Sequence, residues 1–523
     1  MTTIENVIYK SCAILFGGAG GATIGFMNSM IEYGGKVFRL KPLCSIDFDP
    51  IACRNHDLLV GDSIAVEMDL FRRWQFEAWH GHEPPKSWRE RTPWDIWVAF
   101  KYQVPFFLFS SPPCKGLSGL LANNKAASEK YQALNHLTVS GLELSLQACL
   151  EYGGSVPAVI HLENVPRITS RGKPLLQQIK KLLKRYGYVV SIRADHNLGE
   201  IGGLGQNRIR FLILARHEGQ LPNFIYYPEK KPLKSIGDIL SRLPAPGDIE
   251  KGGPLHRIPR LQWKSWLKLA LIPAGGDWRS LNNLDYSKLS LVFDDGSQGL
   301  ANDVKGHGNK LISDQSLSIG GNGKFNILRI QTLDKPATCI TGASGPFQGA
   351  ASIADTSIPD FEYHVQHLDQ LKADIQLNCT PRSNSYGVQE WDLPSKTIIG
   401  SSDIHAAAVA VADPRIPDDN KKGVWVIKSL DGTWHRPLTT YELAMIQSFP
   451  THLPDGRPFQ MVECSDEKVR EYIGNAYPPQ AALQTGNVIL LAAAEAEAEV
   501  GFSLGYDPVW VQPSLDQVSV VIH

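Results

Sequence analysis

At 523 residues the chain is longer than one ordinary core supports, so two or three domains are expected. Its 43% hydrophobic and 20% charged residues, with no apolar run long enough to cross a bilayer, mark a soluble globular protein and exclude a membrane span. A formal charge of -1 neither advertises a nucleic-acid binder nor excludes one whose basic surface is local. The eight cysteines, at 12, 44, 53, 114, 149, 339, 379 and 464, form no C-x-x-C pair and no Cys/His spacing suited to zinc, so reduced thiols and no metal are expected. The opening "MTTIENVIYKSCAILFGGAGG" lacks a basic leader, and a cytoplasmic, nucleoid-associated location is the expectation.

Along the first 216 residues, strand-like and helix-like pieces alternate. "CAILF" (12–16) reads as a buried strand and "GGAGGATIGFMNSMIEYG" as a glycine turn opening a helix. "RLKPLCSID" is a second strand ending in Asp47, and "VGDS" places Asp62 at the end of a third. A tryptophan-rich stretch from Arg72 to Trp97 follows. It carries Arg72, Arg73, Arg89 and Arg91, diluted by Glu77, Glu83 and Glu90, and reads as a solvated packing surface. Next comes "FFLFSSPPCKGLSG", an apolar strand stopped by two prolines and one cysteine. A helix around 133–152, the strand "AVIHLENV", the amphipathic helix "PLLQQIKKLLKRYG" and the strand "RIRFLILAR" complete the pattern. Such alternation predicts a doubly wound, mostly parallel, Rossmann-like α/β sheet, whose ligands gather at the carboxyl ends of its strands.

From 217 to 435 the texture changes to loops, scattered prolines and weak periodicity, the mark of a second domain. Within it, residues 326–360 and 384–418 repeat at an offset of 58, as in Asp334/Asp392, Pro336/Pro394, Gly342/Gly400 and Asp355/Asp413. Two β-hairpin units are expected, too few for a solenoid. The segment "KGGPLHRIPRLQWKSWLKLA" has Lys251, His256, Arg257, Arg260, Lys264 and Lys268 and no acid. It suits either a phosphate-binding patch or a basic amphipathic helix packed through Trp263 and Trp266. Helical character returns over 436–500, and the tail 501–523 carries no assignment.

The glycine cluster frees the backbone to approach a ligand at a strand-to-helix turn, although a plain tight turn accounts for it as well. Asp47 and Asp62 follow in the order that holds ribose hydroxyls and then an adenine amine, while surface carboxylates at strand ends account for them equally. Cys114 sits behind Pro112 and Pro113, with Gly116 and Gly119 freeing the loop beyond. Glu163 and Asn164 end an adjacent strand near the same ridge. A thiol beside a carboxylic acid can add to an electron-poor ring while the acid protonates it. In "QNRIR", Arg208 and Arg210 share one face at period two and suit a carbonyl and a phosphate.

In order, "LFGGAGGATIGF", "SSPPCKGLSG", "LENV", "QNRIR", "RPLTTYELAMIQSFP" and "YIGNAYPP" resemble the DNA cytosine-5 methyltransferases. The resemblance covers roughly the first 215 residues and 436 to about 495. It implies a class I methyltransferase fold that uses S-adenosylmethionine, leaves S-adenosylhomocysteine, and needs no metal. It further implies a cytosine flipped out of duplex DNA. By position, Cys114 becomes the nucleophile at C6, Glu163 the acid at N3, and Arg208 and Arg210 the groups that steady base and backbone. Phe16, Gly18, Gly20, Asp47, Asp62 and Asn475 become the cofactor set. The domains implied are a catalytic part over 1–216, a target-recognition domain over 217–435, and 436–500 completing the catalytic part.

Lys115 replaces the usual glutamine and Leu117 the common phenylalanine on the loop that closes around DNA, and Ile14 stands where an acid is frequent. Expected partners are double-stranded DNA and no membrane, with a cognate restriction endonuclease or defence-system protein as a further candidate, and the chain is expected to be a monomer. The alternatives are an RNA cytosine-5 methyltransferase, an inactive sequence-specific DNA reader, and a nicotinamide dehydrogenase with a chance motif set. Retention of Cys114 and Glu163 argues against the second, and "PPC" with "ENV" against the third.

Overall fold

The computed structural model describes residues 6–113, 117, 128–221, 224–259, 261, 263–284, 318–320, 330–332, 352–354, 375–377, 380–381, 383–400, 408–416, 426–429, 431–498 and 510–511. The chain divides into two compact units, one of Met1–Lys234 with Ala444–His523 and one of Ser235–Leu443.

The first unit is built on an eight-stranded sheet. Its strands are β1 (Val7–Leu15), β2 (Met30–Tyr33), β3 (Lys36–Asp47), β4 (Ala65–Glu67), β5 (Phe107–Ser110), β6 (Val159–Asn164), β7 (Tyr188–Asn197) and β8 (Ile209–His217). They run in the order β2-β3-β1-β5-β6-β8-β7, and β4 shares the outer edge of β3 with β2. The pairs β1–β3, β1–β5, β5–β6 and β3–β4 are parallel, whereas β8 runs antiparallel between β6 and β7. This is the doubly wound, mostly parallel sheet that the alternating pattern predicts.

Pleating sends neighbouring residues to opposite faces. Ala13 and Leu15 of β1 therefore enter one core cluster with Leu108, while Cys12 and Ile14 enter a second with Phe107 and Phe109. Helices α1 (Gly21–Met27), α2 (Pro50–Val60), α3 (Arg73–His80), α4 (Pro93–Ala99), α5 (Glu129–Gly153), α6 (Lys173–Arg185), α7 (Asp466–Asn475) and α8 (Pro479–Glu497) accompany the sheet. The last helix returns from the C-terminal segment to lie on α1 so tightly that a Cβ on Gly25 would stand 2.2 Å from the Pro479 carbonyl. Cys12, Cys44, Cys53 and Cys149 are buried and free, and desolvation pushes the Cys44, Cys53 and Cys149 thiols up to about 12, so they are unreactive core residues.

Two segments differ from their sequence reading. Leu58–Val60 is the last turn of α2, closed by Gly61 at φ 77°, and the third strand begins only at Ala65. Leu117, expected on the DNA-closing loop, is 3% exposed and belongs to the core. In the unassigned tail, Trp510–Val511 pairs in parallel with Ile225–Tyr226.

In the second unit, His256 is buried, with its ring nitrogens 3.0 Å from Thr439 Oγ1 and 3.1 Å from the Pro244 carbonyl. Lys268 is buried too, with Nζ over the Tyr386 ring at 5.6 Å, so these two belong to the interior rather than to a phosphate patch. Arg260 lies outside the described residues. The motif "RPLTTYEL" folds for a local reason. The Glu442 carboxylate accepts the Thr439 amide at 2.8 Å and Thr439 Oγ1 accepts the Glu442 amide at 3.1 Å, a capping box that starts the helix Thr440–Ile446. Arg436, fully buried, answers Glu442 through both terminal nitrogens at 2.8 and 2.7 Å and also reaches Asp413.

Most of the first copy of the 58-residue repeat lies outside the described residues, but its strand segments do not. Ile330 pairs with Ser352 and, displaced by the same 58 residues, Val388 pairs with Ala410. Both pairs are parallel, so the described strands of neither copy pair as a hairpin, because parallel neighbours need a crossover where a hairpin needs only a tight turn.

Candidate functional site

A cavity of about 290 Å³ opens at the carboxyl ends of β1, β3, β5 and β6 in the first unit. One wall starts where β1 stops. Phe16 takes a left-handed backbone, φ 59°, which costs about 1–2 kcal/mol for a residue with a Cβ and persists because the surroundings fix it. Its ring lines the cavity. Gly18, at φ 52°, turns its amide onto Asp47 Oδ2 at 2.9 Å, and the Asp49 amide reaches Asp47 Oδ1 at 3.0 Å. Burial raises the Asp47 carboxyl above its ordinary range against the pull of those amides. Phe48, 66% exposed, follows on the same rim.

Asp49 caps α2 and ties in the returning C-terminal segment. It accepts the Tyr472 hydroxyl at 2.7 Å, and Lys468 Nζ stands 3.5 Å away. Burial favours its neutral form, but the Tyr472 hydroxyl, the Ala52 amide and Lys468 together hold the carboxyl below its ordinary value. Asn475, at the end of α7, also lines the cavity.

An apolar part of the lining comes from Leu134 and Leu137 of α5, with Phe71 and Trp79 from the segment after β4. Trp79 was missed by sequence reasoning, which placed the whole stretch on a solvated surface. Three of the arginines there are paired, Arg72 with Glu90 and Arg73 with Glu77 at 2.9 Å each, and Arg89 with Asp95, whereas Arg91 is half-buried and its Nε has no hydrogen-bond partner among the described residues. The signal available was the helical spacing of Phe76 and Trp79 against those charges.

The third side carries polar groups that face one another. Glu163, at the end of β6 and 8% exposed, accepts the Ser111 hydroxyl on Oε2 at 2.8 Å and forms an ion pair through Oε1 with Arg210 Nε at 2.9 Å. Ser111, Pro112 and Pro113 line the cavity. The next residues, Cys114, Lys115 and Gly116, lie outside the described residues. Asn164 spends its side-chain oxygen on its neighbour's amide, Val165, at 2.8 Å.

Of the sequence-derived residues, Glu163, Arg208, Arg210, Phe16, Gly18, Asp47 and Asn475 line this cavity. Three fall differently from their expected roles. Asp62 is exposed in the turn before β4, at the wrong end of that strand, and is not in the lining. Gly20 is the left-handed cap of α1 at φ 92° and is likewise absent from the lining. Arg208 precedes β8 and does not share a strand face with Arg210. It is 1% exposed and donates to the carbonyls of Gly474 and Ala476 at 3.0 and 2.8 Å, so it braces the segment carrying Asn475.

Comparison with known proteins matches residues 64–252 to the family described as C-5 cytosine-specific DNA methylase. No curated protein matches the chain. Among solved structures, the chain is similar to the Entamoeba histolytica methyltransferase EhMeth, at 12% identity and a TM-score of 0.45 over 94% of this chain and 99% of that one. It is also similar to a putative DNA modification methyltransferase of an E. coli prophage, at 15% identity and TM-score 0.43 over 92% and 99%. A third is the S. pombe Dnmt2 methyltransferase, at 11% identity and TM-score 0.40 over 95% and 100%. The family match spans Cys114, Glu163, Arg208 and Arg210, so over residues 64–252 this chain is similar to the C-5 cytosine-specific DNA methylase domain.

Proposed function

We propose that the chain methylates C5 of a cytosine flipped out of a specific duplex DNA sequence. The observation that carries this reading is Glu163, fixed on both oxygens in the same cavity as the Gly18–Asp47 turn. The donors there suit S-adenosylmethionine. Asp47 retains acceptor capacity for ribose hydroxyls, Phe16 and Phe48 offer ring faces, Asn475 offers an amide, and Leu134, Leu137, Phe71 and Trp79 form an apolar bed. When bound, that group supplies an electrophilic methyl carbon.

The protein's own part is to make C5 nucleophilic. Attack of the Cys114 thiolate forms an Sγ–C6 bond and pushes an electron pair into the ring, where protonation of N3 by Glu163 prevents a full negative charge. Loss of the C5 proton later expels the thiolate and restores the ring. Arg210 orients Glu163, and Arg208 holds the Asn475 segment in place. The unit Ser235–Leu443 is proposed to read the DNA sequence, with the protein acting as a cytoplasmic monomer.

The test is incubation with S-adenosylmethionine and either duplex DNA or transfer RNA, followed by sequencing of methylated bases. 5-Methylcytosine at a defined DNA sequence supports the reading. Label on RNA alone, or on no cytosine, overturns it.

A further inference from the structure

Resting on that methyltransferase reading, we propose that Ser111 is a positioning residue that decides which oxygen of Glu163 carries the proton delivered to the base. The two oxygens have chemically different partners. Oε1 faces Arg210 Nε at 2.9 Å, and an arginine N–H only donates, so this oxygen is kept as an acceptor. Oε2 faces the Ser111 hydroxyl at 2.8 Å, and a hydroxyl donates or accepts by rotating about its C–O bond. Oε2 is thus the oxygen that can gain or lose a proton without losing its neighbour.

Ser111 is itself held. Its amide donates to the Leu15 carbonyl at 3.2 Å, at the end of β1, and Pro112 and Pro113 stiffen the chain beyond it. The hydroxyl therefore links the turn leading to Cys114 with the acid on β6. In the addition step the Sγ–C6 bond forms, the displaced electron pair settles on N3, and the proton moves from Oε2 to N3. The resulting carboxylate accepts from the Ser111 hydroxyl and is balanced by the Arg210 charge. On elimination the Sγ–C6 bond breaks and the proton returns from N3 to Oε2.

The experiment compares wild type, Ser111→Ala and Ser111→Thr in steady-state methyl transfer to duplex DNA, with calorimetric binding of S-adenosylhomocysteine and thermal midpoints as folding controls. For Ser111→Ala, kcat is expected to fall about 10-fold or more, with KM and cofactor affinity within about twofold of wild type. Ser111→Thr, which keeps the hydroxyl, is expected to restore the rate. A loss confined to KM or cofactor binding, or failure of threonine to rescue a folded protein, overturns the proposal. An inactive wild type brings down the methyltransferase reading and this proposal with it, whereas an active wild type matched by Ser111→Ala overturns this proposal alone.

Discussion

In the proposed reaction Glu163 is already oriented, because its hydrogen bond from Ser111 at 2.8 Å and its ion pair with Arg210 at 2.9 Å hold the carboxyl group before any base arrives. Glu163→Gln keeps the shape and removes the transferable proton. Methyl transfer should fall about 10²–10⁴-fold while calorimetric cofactor affinity stays within about twofold, and wild-type turnover in that variant would remove the acid role. The residues legible in the sequence were those whose place follows from a strand end: Asp47, Glu163 and the turn before Cys114. Arg208 was misread because the period-two argument assumed that the strand began before it, whereas the strand begins at Ile209 and the guanidinium turns inward to two carbonyls. Asp62 was misread because "LLV" is too short an apolar run to separate a helix end from a strand.

At the scale of elements, the segment between β4 and β5 supplies part of the cavity lining through Trp79, although its charged face resembled plain surface. Trp79→Ala should weaken S-adenosylhomocysteine binding by about 1–2 kcal/mol, in line with removal of aromatic contact area; calorimetry showing unchanged affinity would place the ring outside the cofactor's reach. The α1–α8 contact was invisible in the sequence, because nothing local announces that two helices separated by most of the chain meet at a glycine. Gly25→Ala would put a methyl 2.2 Å from the Pro479 carbonyl, and a loss of about 1–3 kcal/mol of stability is expected in urea titration. The repeat was legible as a repeat, yet the direction of its strands was not, since strand pairing is settled by the crossover and not by the residues that recur.

Across the molecule, the sheet unit contains a built-in acid sensitivity. His161 is fully buried on β6 among Phe109, Tyr477 and His196, and neither of its ring nitrogens has a hydrogen-bond partner among the described residues. Desolvation, and secondarily His196, push its pKa well below the ordinary histidine value, and burial lowers His196 to about 3. Both are neutral in the native state, whereas unfolded histidine binds a proton near pH 6.5. The unfolded state thus holds more protons below that pH, and stability is full above about 6.5 and falls by about 1.4 kcal/mol per pH unit per histidine as pH drops. His161→Phe, which keeps the ring and removes the titration, should flatten the decline of the urea midpoint between pH 6.5 and 5; an unchanged slope would show that His161 is not its source.

The proposed reaction requires a bond between one protein sulfur and C6 of the target base. Duplex DNA carrying 5-fluorocytosine at the methylated position, incubated with the protein and S-adenosylmethionine, blocks loss of the C5 substituent and should leave a denaturation-resistant protein–DNA adduct whose mass spectrum places the link on Cys114. Absence of that adduct from an active protein, or its persistence in Cys114→Ser, would contradict the account.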